Sequence, residues 1–147
     1  MKLSTKVRYG TRAMLDLAIN YSDVPVFLKD IARRQEISKK YLERIFSSLK
    51  AAGLVKTMRG AKGGFALNVP LSKITLSQIV EAIDGAIDLV ECTRNKSACK
   101  RSDFCTAREV WYELTKIIKD KLDSVTLEDL VKREKEKKKI SLSMYHI

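Results

Sequence analysis

A chain of 147 residues that is 45% hydrophobic holds one domain, or one domain with an appendage, around a modest core. Its formal net charge is +11, and residues 1–75 carry 15 Lys and Arg against 5 Asp and Glu, whereas residues 76–147 carry 14 against 13. That imbalance excludes a uniformly basic surface and points to a polyanionic partner for the first half, because a concentrated positive field is the footprint of phosphate-backbone binding. No unbroken apolar stretch precedes Asp16 and no run of 18 apolar residues occurs; the expectation is a cytoplasmic chain without leader, membrane span or membrane partner. The single histidine, His146, lies near the end, and no glycine-rich nucleotide loop follows a strand, so an enzyme is not expected.

Residues 6–21 read as a helix, with Val7, Gly10, Met14, Leu17, Ala18 and Tyr21 on one face. Ser22, Asp23 and Pro25 end it. Residues 28–35 form a second, short helix with Leu28, Ile31 and Ala32 inward. Glu36-Ile37-Ser38 is a tight turn, and Ser38 is a suitable cap for a third helix. That helix runs to about Ala52 and stops at Gly53. Leu42, Ile45, Leu49 and Ala52 form its buried stripe with Phe46 beside it; Lys39, Lys40, Glu43, Arg44 and Ser47 face the other way. Residues 54–59 and 65–69 read as two strands around Gly60-Ala61-Lys62-Gly63-Gly64, a turn rich in residues that tolerate positive φ.

Thr75-Leu76-Ser77-Gln78 is a capping box opening a fourth helix that ends at Gly85. Residues 86–104 read as a long irregular segment. A long helix returns from about Cys105 to Leu122, with an apolar stripe of Val110, Trp111, Leu114, Ile117, Ile118 and Leu122. Thr126 with Asp129 caps a last short helix over 127–133, and residues 134–147 are expected to be a mobile charged tail. The fold class is mainly α with a small β-hairpin. A winged helix-turn-helix region occupies 1–75, with the helix-turn-helix at about 28–52 and the wing at 54–69. Residues 76–133 form a second region around the irregular segment and the long helix.

Two helices joined by a three-residue turn and followed by a glycine-turned hairpin form a DNA-reading pattern. The second helix of the pair would enter the major groove of double-stranded DNA with its N-terminal residues at the base edges. Those residues are Lys39, Lys40, Tyr41, Glu43 and Arg44. Glu43 has two readings: it accepts from a cytosine N4, or it pairs with Lys39 or Lys40 on a solvated face. Tyr41 borders the buried stripe and is either core or contact. Arg59 and Lys62 flank the wing tip, where they reach phosphates or a minor groove.

Cys92, Cys99 and Cys105 fall in one 14-residue window and the rest of the chain has no cysteine. In a reducing compartment, clustered thiols are metal ligands or redox sensors rather than disulfides. Soft thiolates select iron–sulfur clusters, zinc or copper(I), and the spacing lacks the paired C-x2-C of most structural zinc sites. Arg94, Lys96, Lys100 and Arg101 place positive charge around the trio, which favours ligation or reactivity.

The run Ser38-x-x-Tyr41-Leu42-Glu43-x-Ile45-Phe46-x-x-Leu49-x-x-x-Gly53-Leu54-Val55, then Arg59-Gly60 and Gly63-Gly64-Phe65-x-Leu67, resembles the bacterial regulators typified by IscR, NsrR and RirA. The opening Met1-Lys2-Leu3-Ser4, the run Ile79-x-x-Ala82-Ile83-Asp84-Gly85 and the cysteine trio resemble that family as well, up to about Arg133. The resemblance implies a homodimeric winged-helix transcription regulator, expected to be a repressor, acting on a pseudo-palindromic operator. It implies dimerisation through the helix at 105–122, and a 2Fe-2S or 4Fe-4S cluster held by Cys92, Cys99 and Cys105 that reports iron, redox or nitric oxide status. By the same resemblance Tyr41, Glu43 and Arg59 match DNA-touching positions. A cluster-free regulator of the same fold, signalled by cysteine oxidation, zinc or a partner protein, is the alternative. Two positions depart from the pattern. The IscR-like branch has a histidine three residues after the third cysteine, where this chain has Arg108; the NsrR-like branch has an N-terminal aspartate, where this chain has Arg8. Asp103, Thr106, Glu109 and His146 remain as protein candidates for a fourth ligand, and a hydroxide or small thiol is the other possibility.

Overall fold

In the computed structural model, which describes residues 2–59 and 64–146, α1 (Thr5–Asn20) starts where the Ser4 hydroxyl accepts the Val7 N–H at 3.1 Å. It buries Val7, Gly10, Ala13, Met14 and Leu17 along one face. α2 (Leu28–Gln35) ends on Glu36, which takes the left-handed conformation at φ 55°. Ile37 is buried in the turn, and Ser38 then caps α3 (Lys39–Ala51) by accepting the Tyr41 N–H at 3.1 Å. Ile31, Leu42, Ile45, Phe46 and Leu49 close over Met14 and Leu17 to form the core of the N-terminal region. Ala52 and Tyr21, expected in buried stripes, sit instead just beyond the ends of their helices and are exposed.

The wing is the antiparallel pair β1 (Val55–Met58) and β2 (Gly64–Leu67), with Val55 opposite Leu67 and Met58 opposite Gly64. Both strands are shorter than the sequence pattern predicts. Val26 and Phe65 exchange backbone hydrogen bonds at 2.9 and 2.8 Å, which pins the wing to the segment before α2. A side chain at position 64 would place its Cβ 2.7 Å from the Val26 carbonyl oxygen. The backbone contact therefore requires glycine there. Phe46 meets Phe65 edge-on at 4.8 Å and joins the wing to α3.

α4 (Leu76–Asp84) opens with the capping box that the sequence predicts, Thr75 and Gln78 each satisfying the other's backbone N–H. α7 (Leu127–Tyr145) opens with the same device on Thr126 and Asp129. The hydrogen bond from the Thr126 backbone holds the Asp129 carboxyl below the ordinary aspartate range. The two caps lie side by side, with the Leu127 N–H donating to the Ile74 carbonyl at 2.7 Å and the Leu76 N–H to the Val125 carbonyl at 2.9 Å.

Two expectations change. The segment at 86–104 is not wholly irregular: it holds the short helix α5 (Glu91–Arg94) and a 3-10 turn over Lys96–Ala98. The expected charged tail is helical, since α7 continues to Tyr145. No glycine or proline follows Gly85, the added turns are rich in strong helix formers, and Glu128–Lys132 and Glu134–Lys138 pair at i,i+4 spacing. The long helix α6 (Thr106–Asp123) stands where the sequence places it. Among the described residues, no helix is long and apolar enough to cross a membrane.

Candidate DNA interface and thiol site

The outward face of α3 presents Lys39, Lys40, Glu43 and Arg44, all exposed. Lys39 Nζ stands 3.7 Å from Glu43 Oε1. An exposed i,i+4 pair of this kind is worth less than about 1 kcal/mol, so it leaves the Glu43 carboxylate free to exchange that partner for another donor. Tyr41 is half-buried and meets Tyr9 of α1 edge-on at 5.8 Å, and the Arg12 guanidinium lies 5.4 Å from the Tyr9 ring centre. Its ring belongs to the α1–α3 packing and keeps one side open. Arg59 is exposed just past β1; Lys62 lies outside the described residues.

Between α3, the start of α2 and the wing runs a groove of about 550 Å³ whose lining includes Lys29, Lys39, Glu43, Ser47, Lys50 and Thr57. Lys29, Lys50 and Thr57 were not singled out from the sequence. A signal existed for Lys50: positions 43, 47 and 50 share one helical face. Lys29 and Thr57 belong to other elements, and only the fold brings them alongside.

A polar network joins the last turn of α2 to α1. Asp16 on α1 is buried, its side chain only 3% exposed. It accepts from Arg34 Nη2 at 2.6 Å, from Arg34 Nε at 3.0 Å and from Gln35 Nε2 at 2.9 Å. Arg12 in turn donates to the Gln35 side-chain and backbone oxygens. The Arg34 guanidinium is held above its ordinary range by the hydrogen bond to Asp16. The last turn of α2 is thus bolted to α1 immediately before α3 begins. The only sequence signal was an acid among the apolar positions of the first helix.

The three cysteines occupy distinct places around the start of α6. Cys92 lies in α5 and is half-buried, Cys99 follows the 3-10 turn and is exposed, and Cys105 is the half-buried N-cap of α6. Among the described residues, no three His, Cys, Asp or Glu side chains are gathered as a metal site. Two of the surrounding cations are engaged elsewhere, Arg94 with Asp88 at 3.0 Å and Lys96 with Asp103 at 3.8 Å. Of the protein candidates for a fourth ligand, Asp103, Thr106, Glu109 and His146 are all exposed. Arg108 donates through Nε to the Cys92 carbonyl at 2.7 Å, and Arg8 donates to Thr5 Oγ1.

From this loop a continuous set of contacts leads back to α3. Arg108 ties α5 to α6, and the Leu89 N–H donates to Thr115 Oγ1 of α6 at 3.3 Å. Lys119 of α6 donates to Glu81 of α4 at 2.7 Å, and that bond holds the ammonium above its ordinary range. α4 packs on α6, α1 and α3. Ile83 of α4 sits where a Cβ on Gly10 would come within 2.2 Å of it, and that Cβ would also lie 3.1 Å from Ile45 of α3. The terminal methyl of Ile83 thus occupies the space over Gly10, and a side chain there would have to displace it.

Residues 3–133 match the family described as Rrf2, iron-dependent transcriptional regulator. The chain belongs to the Rrf2 family. It is 39% identical over 134 residues, 91% of its length and 81% of the relative's, to the HTH-type transcriptional regulator IscR of Xenorhabdus nematophila. It superposes on the structure of T. potens IscR with a TM-score of 0.76 at 38% identity, covering 92% of this chain and 90% of that one. It superposes on CymR, titled the global cysteine regulator of B. subtilis, with a TM-score of 0.74 at 38% identity, covering 90% and 98%. This Rrf2 chain is therefore a transcription regulator of the winged-helix fold and not an enzyme.

Proposed function

We propose that this Rrf2 protein is a homodimeric regulator whose affinity for a pseudo-palindromic operator is set by an iron–sulfur cluster held by Cys92, Cys99 and Cys105. The observation that carries the reading is the Arg108 to Cys92 hydrogen bond, which joins the thiol loop to α6 and so to the α4–α3 contacts. The donor chemistry fits such a group, since three soft thiols share one loop. When bound, the cluster supplies a centre that responds to iron supply, redox state or nitric oxide. Holding such a group would draw Cys92, Cys99 and Cys105 together and displace α5. Arg108 and Thr115 would pass that displacement to α6, and Lys119 with Glu81 would pass it to α4, against which α3 packs. Anaerobic purification with iron and sulfide analysis, followed by operator binding before and after chelation, tests the reading. A coloured protein whose affinity changes about tenfold or more on cluster loss supports it; a colourless protein without iron or sulfide refutes it.

On DNA, the reading assigns base or phosphate contacts to Lys39, Lys40, Tyr41, Glu43, Arg44, Arg59 and Lys62. Glu43→Ala is expected to relax discrimination at one base pair by about 1–3 kcal/mol while leaving non-specific binding intact. Arg59→Ala is expected to weaken every sequence similarly and to lower the salt-dependence slope by about one. Competition titrations at several salt concentrations separate the two patterns.

Arg108→Ala is expected to leave iron and sulfide content unchanged and to shrink the difference in operator affinity between cluster-loaded and cluster-free protein about fivefold, within the usual range of coupling energies. Undiminished coupling in that variant removes Arg108 from the path.

A second reading has its own support: Cys99 is exposed and the trio is not gathered among the described residues, and the similar CymR of Staphylococcus aureus is solved in an oxidized form. In it the thiols act as an oxidation switch without a cluster. Peroxide would then change operator affinity of iron-free wild type and not of Cys99→Ala.

A further inference from the structure

Ser102 lies three residues after Cys99 and three before Cys105. It is 6% exposed, while its neighbours Lys100, Arg101, Asp103 and Phe104 are exposed. Its backbone N–H donates to the Cys99 carbonyl at 3.1 Å, so the residue is folded into the turn that links the two thiols. Its Oγ is the one buried side-chain polar atom among the described residues without a hydrogen-bond partner. A buried hydroxyl left unpaired costs about 1–3 kcal/mol. By contrast, the nearby buried Thr93 hydroxyl is satisfied, donating to the Val90 carbonyl at 2.7 Å. An orphan hydroxyl in the turn that links Cys99 to Cys105 is a donor for which the described residues supply no acceptor.

We infer that the Ser102 hydroxyl donates a hydrogen bond to a sulfur atom of the cluster held by the trio and so sets how readily that cluster is reduced; the inference rests on the cluster reading above. Reduction adds negative charge that spreads onto the sulfurs. A donor aimed at one of them stabilises the reduced form more than the oxidised form. Ser102 is a positioning and tuning residue under this assignment and not a ligand. Its presence fixes the redox condition at which the regulator changes state.

The test compares wild type and Ser102→Ala, both purified anaerobically and reconstituted with ferrous iron and sulfide. Iron and sulfide content, a redox titration followed in the visible spectrum, and the deuteron couplings of the reduced cluster in D2O are measured. Ser102→Ala is expected to hold the same iron and sulfide as wild type. At a fixed ambient potential its ratio of reduced to oxidised cluster is expected to fall about tenfold, the scale of one hydrogen bond to a charged group. Its reduced cluster is expected to show one exchangeable deuteron coupling fewer. A titration coincident with wild type reduces Ser102 to packing and overturns the inference. Loss of iron and sulfide from Ser102→Ala alone makes it a ligand and overturns it equally. Wild type that takes up no cluster at all sinks the underlying reading, a result distinct from either.

Discussion

Replacing Trp111 and Ile117 together with aspartate is expected to leave the chain folded and to lower its affinity for a two-half-site operator by about 10²–10⁴-fold. None of the 18 residues of α6 is buried. Ile118 and Leu122 turn partly inward, lining a groove with Leu3 and Val80. The rest of the predicted stripe points out, with Trp111 41% and Ile117 64% exposed and Val110 and Leu114 beside them. An apolar strip of that length on a soluble helix marks an interaction surface, and in the proposed dimer a second α6 covers it. Two carboxylates from each subunit, buried in that interface, would separate the subunits. A monomer engages one half-site at a time and loses the effective-concentration gain of two linked readers, which is about 10²–10⁴. Because the substituted side chains are exposed within the subunit, the circular dichroism spectrum is expected to stay the same. Sedimentation equilibrium and operator binding check the outcome, with a single half-site duplex as control. A variant that remains dimeric and binds the full operator as wild type does would remove α6 from the interface.

Arg34→Ala is expected to destabilise the fold by about 3 kcal/mol. Asp16 is the buried partner and Arg34 is about a third exposed. Removing the arginine leaves the carboxylate with only Gln35 and Asn20 as donors. Breaking a buried pair by deleting one member costs about 3–5 kcal/mol, and the partial solvation of Arg34 puts this case at the low end. Arg33 is the internal control. It pairs with Asp30 at 3.6 Å and its side chain is 76% exposed, so Arg33→Ala is expected to cost less than about 1 kcal/mol. Urea unfolding at one fixed protein concentration measures both, since dimerisation makes stability concentration-dependent. Because the network sits at the turn into α3, Arg34→Ala is also expected to weaken operator binding although its side chain is not assigned to DNA.

The elements with strong local signals were legible in the sequence. Ser38, Thr75 and Thr126 cap helices where their spacing to the next polar or apolar positions predicts, because a cap is decided by residues within one turn. The Asp16–Arg34 bond was not legible, since its partners are 18 residues apart and nothing local distinguishes Arg34 from Arg33. The end of α7 is not legible in the sequence for a different reason. A run of Lys and Glu reads equally as a solvated tail and as a helix laced by i,i+4 pairs, and the pattern of charge alone does not choose. The thiol site was legible as a set of residues but not as an arrangement. Spacing gives Cys92, Cys99 and Cys105 a common loop; the Arg108 bond to the Cys92 carbonyl and the buried Ser102 hydroxyl emerge only when that loop is folded against α6.

The most direct measurement is operator binding, under strict exclusion of oxygen, by wild type and by a variant in which Cys92, Cys99 and Cys105 are all replaced by alanine. Cluster-loaded wild type and the thiol-free variant are expected to differ in affinity by about tenfold or more, and chelation is expected to bring wild type to the variant's value. Equal affinity for the operator, with the cluster present in one protein and impossible in the other, would contradict the cluster reading.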